Sequence, residues 1–299
     1  AVDSATYRNH LYAVPWQTNG GMLFYRTDLL TAAGIASAPT TWSQMQDDCA
    51  KVKVLPQAKD VACYAGQFDK YEGLVVNFSE AVQSAGGRVF DDSGKPTVDT
   101  PQARSALQWL ATAFKDGTIP RTALTYKEED GRKAFQDGSL VFLRQWPYVW
   151  DLANKTDGSS KVAGKFGVAA LPGLNGPGSS TLGGYNLAVS AFAEHKATAR
   201  DFIAYMTSDD AQRANLLATS TAPTRTDLYA DTTLQQRFPY LAVLQKSLQT
   251  AVPRPKAVHY GDVSAAIQNG IAPVIAGQTD PATALTALQT KLQQVAAQQ

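Results

Sequence analysis

Short apolar runs alternate along this chain with stripes of helical period, and that alternation restricts it to folds in which helices cover a sheet. Residues 22–25 (MLFY), 140–143 (LVFL) and 166–172 (FGVAALP) read as buried strands, and 11–15 (LYAVP) and 185–190 (YNLAVS) as two more. The helices between them have recognisable ends. Thr41 to Gln44 fits a capping box ahead of an apolar face begun by Trp42 and Met45. Residues 73–85 read as a buried helix that stops at Gly86 and Gly87. Thr100 caps a helix with Pro101 in its first turn, Leu107, Leu110 and Phe114 on its stripe, and Gly117 at its end. Residues 133–137 look helical up to Gly138, and Pro147 favours a new helix start. The Gly/Ser-rich stretch 173–184 (GLNGPGSSTLGG) reads as a flexible connection or hinge. Beyond it the chain is mostly helical, over 198–206, 208–217, 234–248, 263–275 and 281–297. The expected class is α/β, and 299 residues suffice for two domains or one large one.

Charge and cysteine usage narrow the partners. Lys and Arg number 27 and Asp and Glu 26, so the net charge of +1 argues against nucleic acid, which needs a basic excess. No apolar run approaches the ~20 residues of a membrane span. Residues 1–10 carry neither the basic nor the apolar region of a secretory signal, yet the chain reads as exported. Its two cysteines, Cys49 and Cys63, lie close together in DDCAKVKVLPQAKDVACY, where a disulfide is expected and two unconnected buried thiols are the alternative. No histidine lies near enough to complete a zinc site, and no metal is expected.

Catalytic constellations are missing from the pattern. His10, His195 and His259 are scattered, and there is no HExxH, GxSxG, P-loop or GxGxxG. The carboxylate clusters Asp47-Asp48, Asp91-Asp92, Glu128-Glu129-Asp130 and Asp209-Asp210 read as solvated, or as favouring helix dipoles. A glycosidase, with two carboxylates flanking a sugar, stays open as an alternative. The informative pattern is aromatic residues beside amides in expected loops: 16–21 between two strands, Gln145 to Tyr148 after a strand, Gly183 to Asn186 before one, and Arg254 to Tyr260. Aromatic faces stack on pyranose rings while amides, carboxylates and Arg bond hydroxyls, which suits a neutral polyol. Trp42, Trp109 and Trp150 read as core, and Trp146 as a ligand contact.

An ordered series of segments then makes the chain resemble the extracytoplasmic sugar-binding proteins of ABC importers, the family that includes maltose-binding protein. They are LYAVPWQTNGGMLFYRTDLLTAAGI, PTTWSQM, AFQDGSLVFLRQWPYVW, FGVAALPG and LGGYNLAVS. YEGLVVNFSEAVQSAGG and VPRPKAVHYGDVSAAIQ look closest to its trehalose/maltose branch, which includes lipoproteins. The resemblance implies a type II periplasmic-binding-protein-like fold: two α/β lobes joined by hinge strands, with sugar in the cleft. Residues 1–15 and 187–227 would belong to the N-terminal lobe, 23–181 and 228–299 to the C-terminal lobe, and 16–22 and 182–186 to the hinge crossings. The N-terminal lobe is then too small for an α/β lobe, so it is expected to be incomplete in this chain.

The resemblance also implies a site and a biology. Asn19 offers a polar contact from the first hinge strand, Glu72 a carboxylate before a helix, and Trp146 the stacking ring. Gly183, Gly184 and Tyr185 form a hinge loop whose backbone approaches the ligand, and Arg254 and Tyr260 line the cleft. A salt bridge to a carboxylate is the competing role for Arg254. The implied function is non-enzymatic, with no cofactor: a monomeric receptor, periplasmic or anchored outside the plasma membrane as a lipoprotein. It would capture a disaccharide such as trehalose or maltose and deliver it to an ABC permease. A secreted hydrolase of small α-glucosides is the alternative.

Overall fold

The computed structural model describes residues 2–298. Its strands are β1 (Thr6–Tyr7), β2 (His10–Leu11), β3 (Val14–Asn19), β4 (Met22–Arg26), β5 (Ala62–Ala65), β6 (Leu140–Gln145), β7 (Phe166–Ala169) and β8 (Gly183–Leu187). The helices of the first two thirds are α1 (Thr27–Ala32), α2 (Trp42–Lys53), α3 (Glu72–Ser84), α4 (Pro101–Asp116), α5 (Glu128–Gln136) and α6 (Val149–Ala153). After β8 come α7 (Lys196–Met206), α8 (Asp209–Thr219), α9 (Thr226–Ala230), α10 (Thr232–Arg237), α11 (Tyr240–Thr250), α12 (Tyr260–Ile275) and α13 (Pro281–Ala296).

Four strands form the main sheet in the order β5-β6-β4-β7, with β4 antiparallel to both neighbours and β5 parallel to β6. All six residues of β6 are buried, because both faces of this central strand are covered and an unbroken apolar run suits it. Phe24 on β4 packs its ring 6.2 Å from Phe135 and 6.0 Å from Phe166, joining sheet and helices in one core. The last two helices return to this body, with α12 packed on α3, α4 and α13. The expected caps hold: the Thr41 hydroxyl accepts from the Gln44 N–H and the Thr100 hydroxyl from the Ala103 N–H, while Gly117 takes a left-handed φ of 82°. The second arm of the box is shifted by one residue, since the Gln44 side chain accepts from the Thr40 N–H. The Cys49–Cys63 disulfide is present and ties α2 to β5 with a Cα–Cα distance of 5.5 Å.

Three expectations fail for local reasons. Residues 16–19 are not a loop between strands: they belong to β3, which pairs antiparallel with β8, and Gly183–Asn186 lie inside β8 and not before it. The expected helix 234–248 is two helices, α10 and α11, parted at Phe238-Pro239, where proline has no N–H to continue the ladder. Pro147 does not open a helix either; Tyr148 is the N-cap of α6, and Trp146 stands two residues outside it.

Candidate functional site

The chain passes twice between the β3–β8 ribbon and the main sheet, through Gly20-Gly21 and through residues 180–182. In the ribbon Asn19 pairs with Gly183, Thr18 with Gly184 and Gln17 with Tyr185. Gly184 has φ of 129°, and a Cβ there would collide with the Gln17 carbonyl, so glycine is required. Gly183 lets the ring approach closely: a Cβ would stand 3.1 Å from the Trp146 ring, which leans on this backbone and would have to give way slightly.

Trp146 is presented by the end of β6 and is half-buried. Its N–H donates to the Gln145 side chain at 3.0 Å, and the Gln145 amide donates to the Glu128 carbonyl at 2.7 Å, which fixes the strand end. One face of the indole meets the Arg144 guanidinium, 3.9 Å from the ring centroid. Strand ends in α/β bodies are where ligand crevices form.

A second group surrounds Glu72, the first residue of α3. Its carboxylate accepts from Arg254 Nη1 at 2.9 Å, from the Tyr260 hydroxyl, and from Ser264 Oγ at 2.5 Å. Burial pushes the Tyr260 phenol up, and the hydrogen bond to Glu72 adds to it, so the hydroxyl stays a neutral donor. Glu72 and Arg254, both expected to offer themselves to a sugar, therefore hold each other, and Arg254 plays the competing role expected for it. Ser264 was not among the expected site residues. Its spacing of four from Tyr260 on α12 puts both hydroxyls on one helix face, which is the signal that reveals it.

Two further phenols lie outside the expected site residues, Tyr148 from the aromatic stretch that ends at it and Tyr71 without a sequence signal. Tyr71 donates to Glu128 Oε2 and Tyr148 to Glu129 Oε1, each at 2.8 Å, and burial followed by these carboxylates pushes both phenols up. Glu129 is also forked by Arg132, whose hydrogen bond holds its carboxyl below the usual range, with the Tyr148 bond adding to the effect.

A cavity of about 1170 Å³ opens beside the ribbon, lined by Gln17, Thr18, Gly183, Gly184, Gln245 and Arg254 among others. The structure thus gathers most expected site residues. Gly183, Gly184 and Arg254 line the cavity, Asn19 and Trp146 back onto Gly183, Glu72 is bonded to Arg254, and Tyr260 is bonded to Glu72. Tyr185 is the exception, 65% exposed and outside the cavity lining. Among the described residues no group of three or more His, Cys, Asp or Glu could hold a metal, and no helix is long and apolar enough to cross a membrane.

Comparison with known proteins agrees with this arrangement. A probable ABC transporter-binding protein of Deinococcus radiodurans is 35% identical, covering 98% of this chain and 71% of its own length. A mannitol-binding protein of Pseudomonas aeruginosa is 25% identical, covering 69% of this chain and 47% of its own. Among solved structures, maltose-bound MalE3 of T. maritima superimposes with a TM-score of 0.91 at 36% identity, covering 97% of this chain and 74% of that one. The chain therefore spans between 47% and 74% of these relatives' lengths. The fold is the two-lobe, periplasmic-binding-protein-like α/β fold expected from the sequence. Residues 1–238 match the family described as bacterial extracellular solute-binding protein, and with a match over most of its length the chain belongs to that family.

Proposed function

We propose that this chain is the sugar receptor of an ABC importer, working outside the plasma membrane, and that its ligand is a disaccharide of the maltose or trehalose type. The observation that carries the reading is the Trp146 ring, half-buried at a strand end beside the Gly183 backbone, next to a cavity lined by amides, hydroxyls and apolar side chains, with Asp3, Arg254 and Lys256 as its charged members. An indole face of this kind matches the apolar face of a pyranose, and side-chain amides match its hydroxyls. The relatives' names span a polyol, mannitol, and a disaccharide, maltose. A volume of about 1170 Å³ has room for a disaccharide, since pockets for small molecules run roughly 300–1,000 Å³.

In this reading residues 16–22 and 182–186 are the crossings between lobes, residues 1–15 and 187–227 lie on one side, and residues 23–181 and 228–299 on the other. Sugar held between the sides shifts the open–closed equilibrium by its preference for the closed form, and the closed form engages the permease. No bond is made or broken. Calorimetric titration with maltose, trehalose and mannitol tests the proposal: saturable binding of a disaccharide tighter than of mannitol is expected. Release of glucose from either disaccharide on prolonged incubation would transfer the site to the hydrolase reading.

A further inference from the structure

The first crossing, the approach to the second and the aromatic ring converge on one buried ion pair. Glu80 on α3 is 4% exposed, and Arg144 on β6 is 1% exposed. Arg144 forks onto it, Nε to Oε2 at 2.7 Å and Nη2 to Oε1 at 2.6 Å. The third guanidinium nitrogen, Nη1, donates to Gln67 Oε1 at 2.9 Å, and the Gln67 amide returns a bond to the Arg144 carbonyl at 3.2 Å. The edges of the guanidinium are thus engaged, and one flat face is covered by Trp146 at 3.9 Å.

Glu80 Oε1 also takes the segment that leads directly into the second crossing. It accepts from the Thr181 N–H at 3.0 Å and from Ser180 Oγ at 3.3 Å. Ser180 Oγ in turn accepts from the Gly21 N–H at 2.5 Å, which brings in the first crossing. No side chain fits at Gly21: a Cβ would stand 2.6 Å from both Arg144 Nη2 and Glu80 Oε1. The glycine admits the crossing backbone to the ion pair.

A buried ion pair gives little net stability over an apolar filling of the same volume, because desolvation opposes the attraction. What a forked pair supplies is fixed geometry: a planar guanidinium with one permitted orientation. We infer that Arg144 and Glu80 are positioning residues that couple the stacking ring to the two crossings, so that the Trp146 indole and the hinge adopt their binding geometry together. The inference rests on Trp146 being the sugar-stacking residue.

The test uses the full chain labelled with 5-fluorotryptophan, with the Trp146 fluorine resonance assigned by its loss in Trp146→Phe, and maltose as the calorimetric probe. Gly21→Ala and Arg144→Lys change no atom of the indole. Gly21→Ala drives a methyl into the fork, and Arg144→Lys keeps the charge but removes the plane. Both are expected to shift the Trp146 resonance and to weaken maltose about tenfold, the loss of one stacked, desolvated guanidinium contact. Leu107→Ala, a core control on α4, is expected to lower the melting temperature and leave both readouts in place. If Arg144→Lys melts early while the Trp146 resonance and the maltose affinity stay unchanged, the pair is only core and the inference fails. Should Gly21→Ala not fold, Arg144→Lys decides alone. Absence of maltose binding by the parent chain counts against the functional proposal, and the resonance still decides this one.

Discussion

Reducing the Cys49–Cys63 bridge gives a perturbation whose size follows from where the bridge sits. It closes a loop of sequence separation 14 between α2 and β5. Chain-entropy arguments give about 3 kcal/mol for a loop of ~15 residues. Both cysteines are buried, 4% and 1% exposed, so substituting them would add a packing cost to the loss of the cross-link. Reduction of the unaltered chain isolates the cross-link, because both sulfurs remain. At about 2–4 °C per kcal/mol for a body of 150–250 residues, melting should fall by about 6–12 °C. The assay is circular dichroism melting with and without a phosphine reductant, with thiols counted in denaturant to show that the bridge has opened. Cys49→Ala/Cys63→Ala should fall further, by the lost burial of two small side chains. The bridge lies away from the ribbon, so maltose affinity below the transition should be the same in both redox states. A fully reduced protein that melts within a degree of the oxidised one would refute the entropic account and leave the disulfide without a stabilising role.

Trp146→Ala should weaken sugar at least about tenfold with little change in melting, whereas Trp109→Ala should mainly lower the melting temperature. Trp109 stacks on Trp42 at 4.6 Å within the core, and the reverse pattern in calorimetry and melting would exchange the two roles. Glu129 has its pKa depressed by Arg132, so its contribution to stability is complete above the ordinary Glu value of ~4.3 and lost as pH falls through the depressed folded value. Glu129→Gln should therefore melt below the parent chain at pH 7 and converge with it under strong acid; a gap that widens on acidification contradicts the sign. Gly184→Ala should unpair the β3–β8 ribbon, since φ of 129° and the Gln17 carbonyl both exclude a Cβ, and should lower both the melting temperature and the sugar affinity. Parent-like values for both would show that the ribbon tolerates a shift in register.

What was legible in the sequence is what local pattern encodes. LVFL and MLFY are strands because a central strand covered on both faces needs an unbroken apolar run, and β6 and β4 occupy such places, while FGVA forms the half-buried edge strand β7 beside them. Helix ends at Thr41, Thr100 and Gly117 follow from bonds made within four residues. The β3–β8 ribbon was misread for the complementary reason. It is a two-stranded element, so Trp16-Gln17-Thr18-Asn19 carries no apolar run and shows only turn-like residues until its partner, more than 160 positions away, is known. The break at Pro239 was hidden because apolar residues continue across it, from Leu234 to Leu241 and Leu244.

The site divides along the same line. Trp146, Gly183 and Gly184 could be singled out as candidates because an aromatic at a strand end and a glycine pair are local signals. The long-range ion pairs of the same region span 182 positions for Glu72 to Arg254 and 64 for Glu80 to Arg144, and no single segment displays such a partnership. A trace of the second was nonetheless present. LVFLRQ places a guanidinium directly after four buried apolar residues, and LVVNFSEAV places a carboxylate inside a buried helix. A charge cannot stay buried alone, because the desolvation of an unpaired ion exceeds what folding leaves to spare. Each of those residues therefore demands an opposite charge from another apolar segment. Arg144 and Glu80 answer that demand for each other, and the Thr181 N–H and the Trp146 ring both contact the same pair.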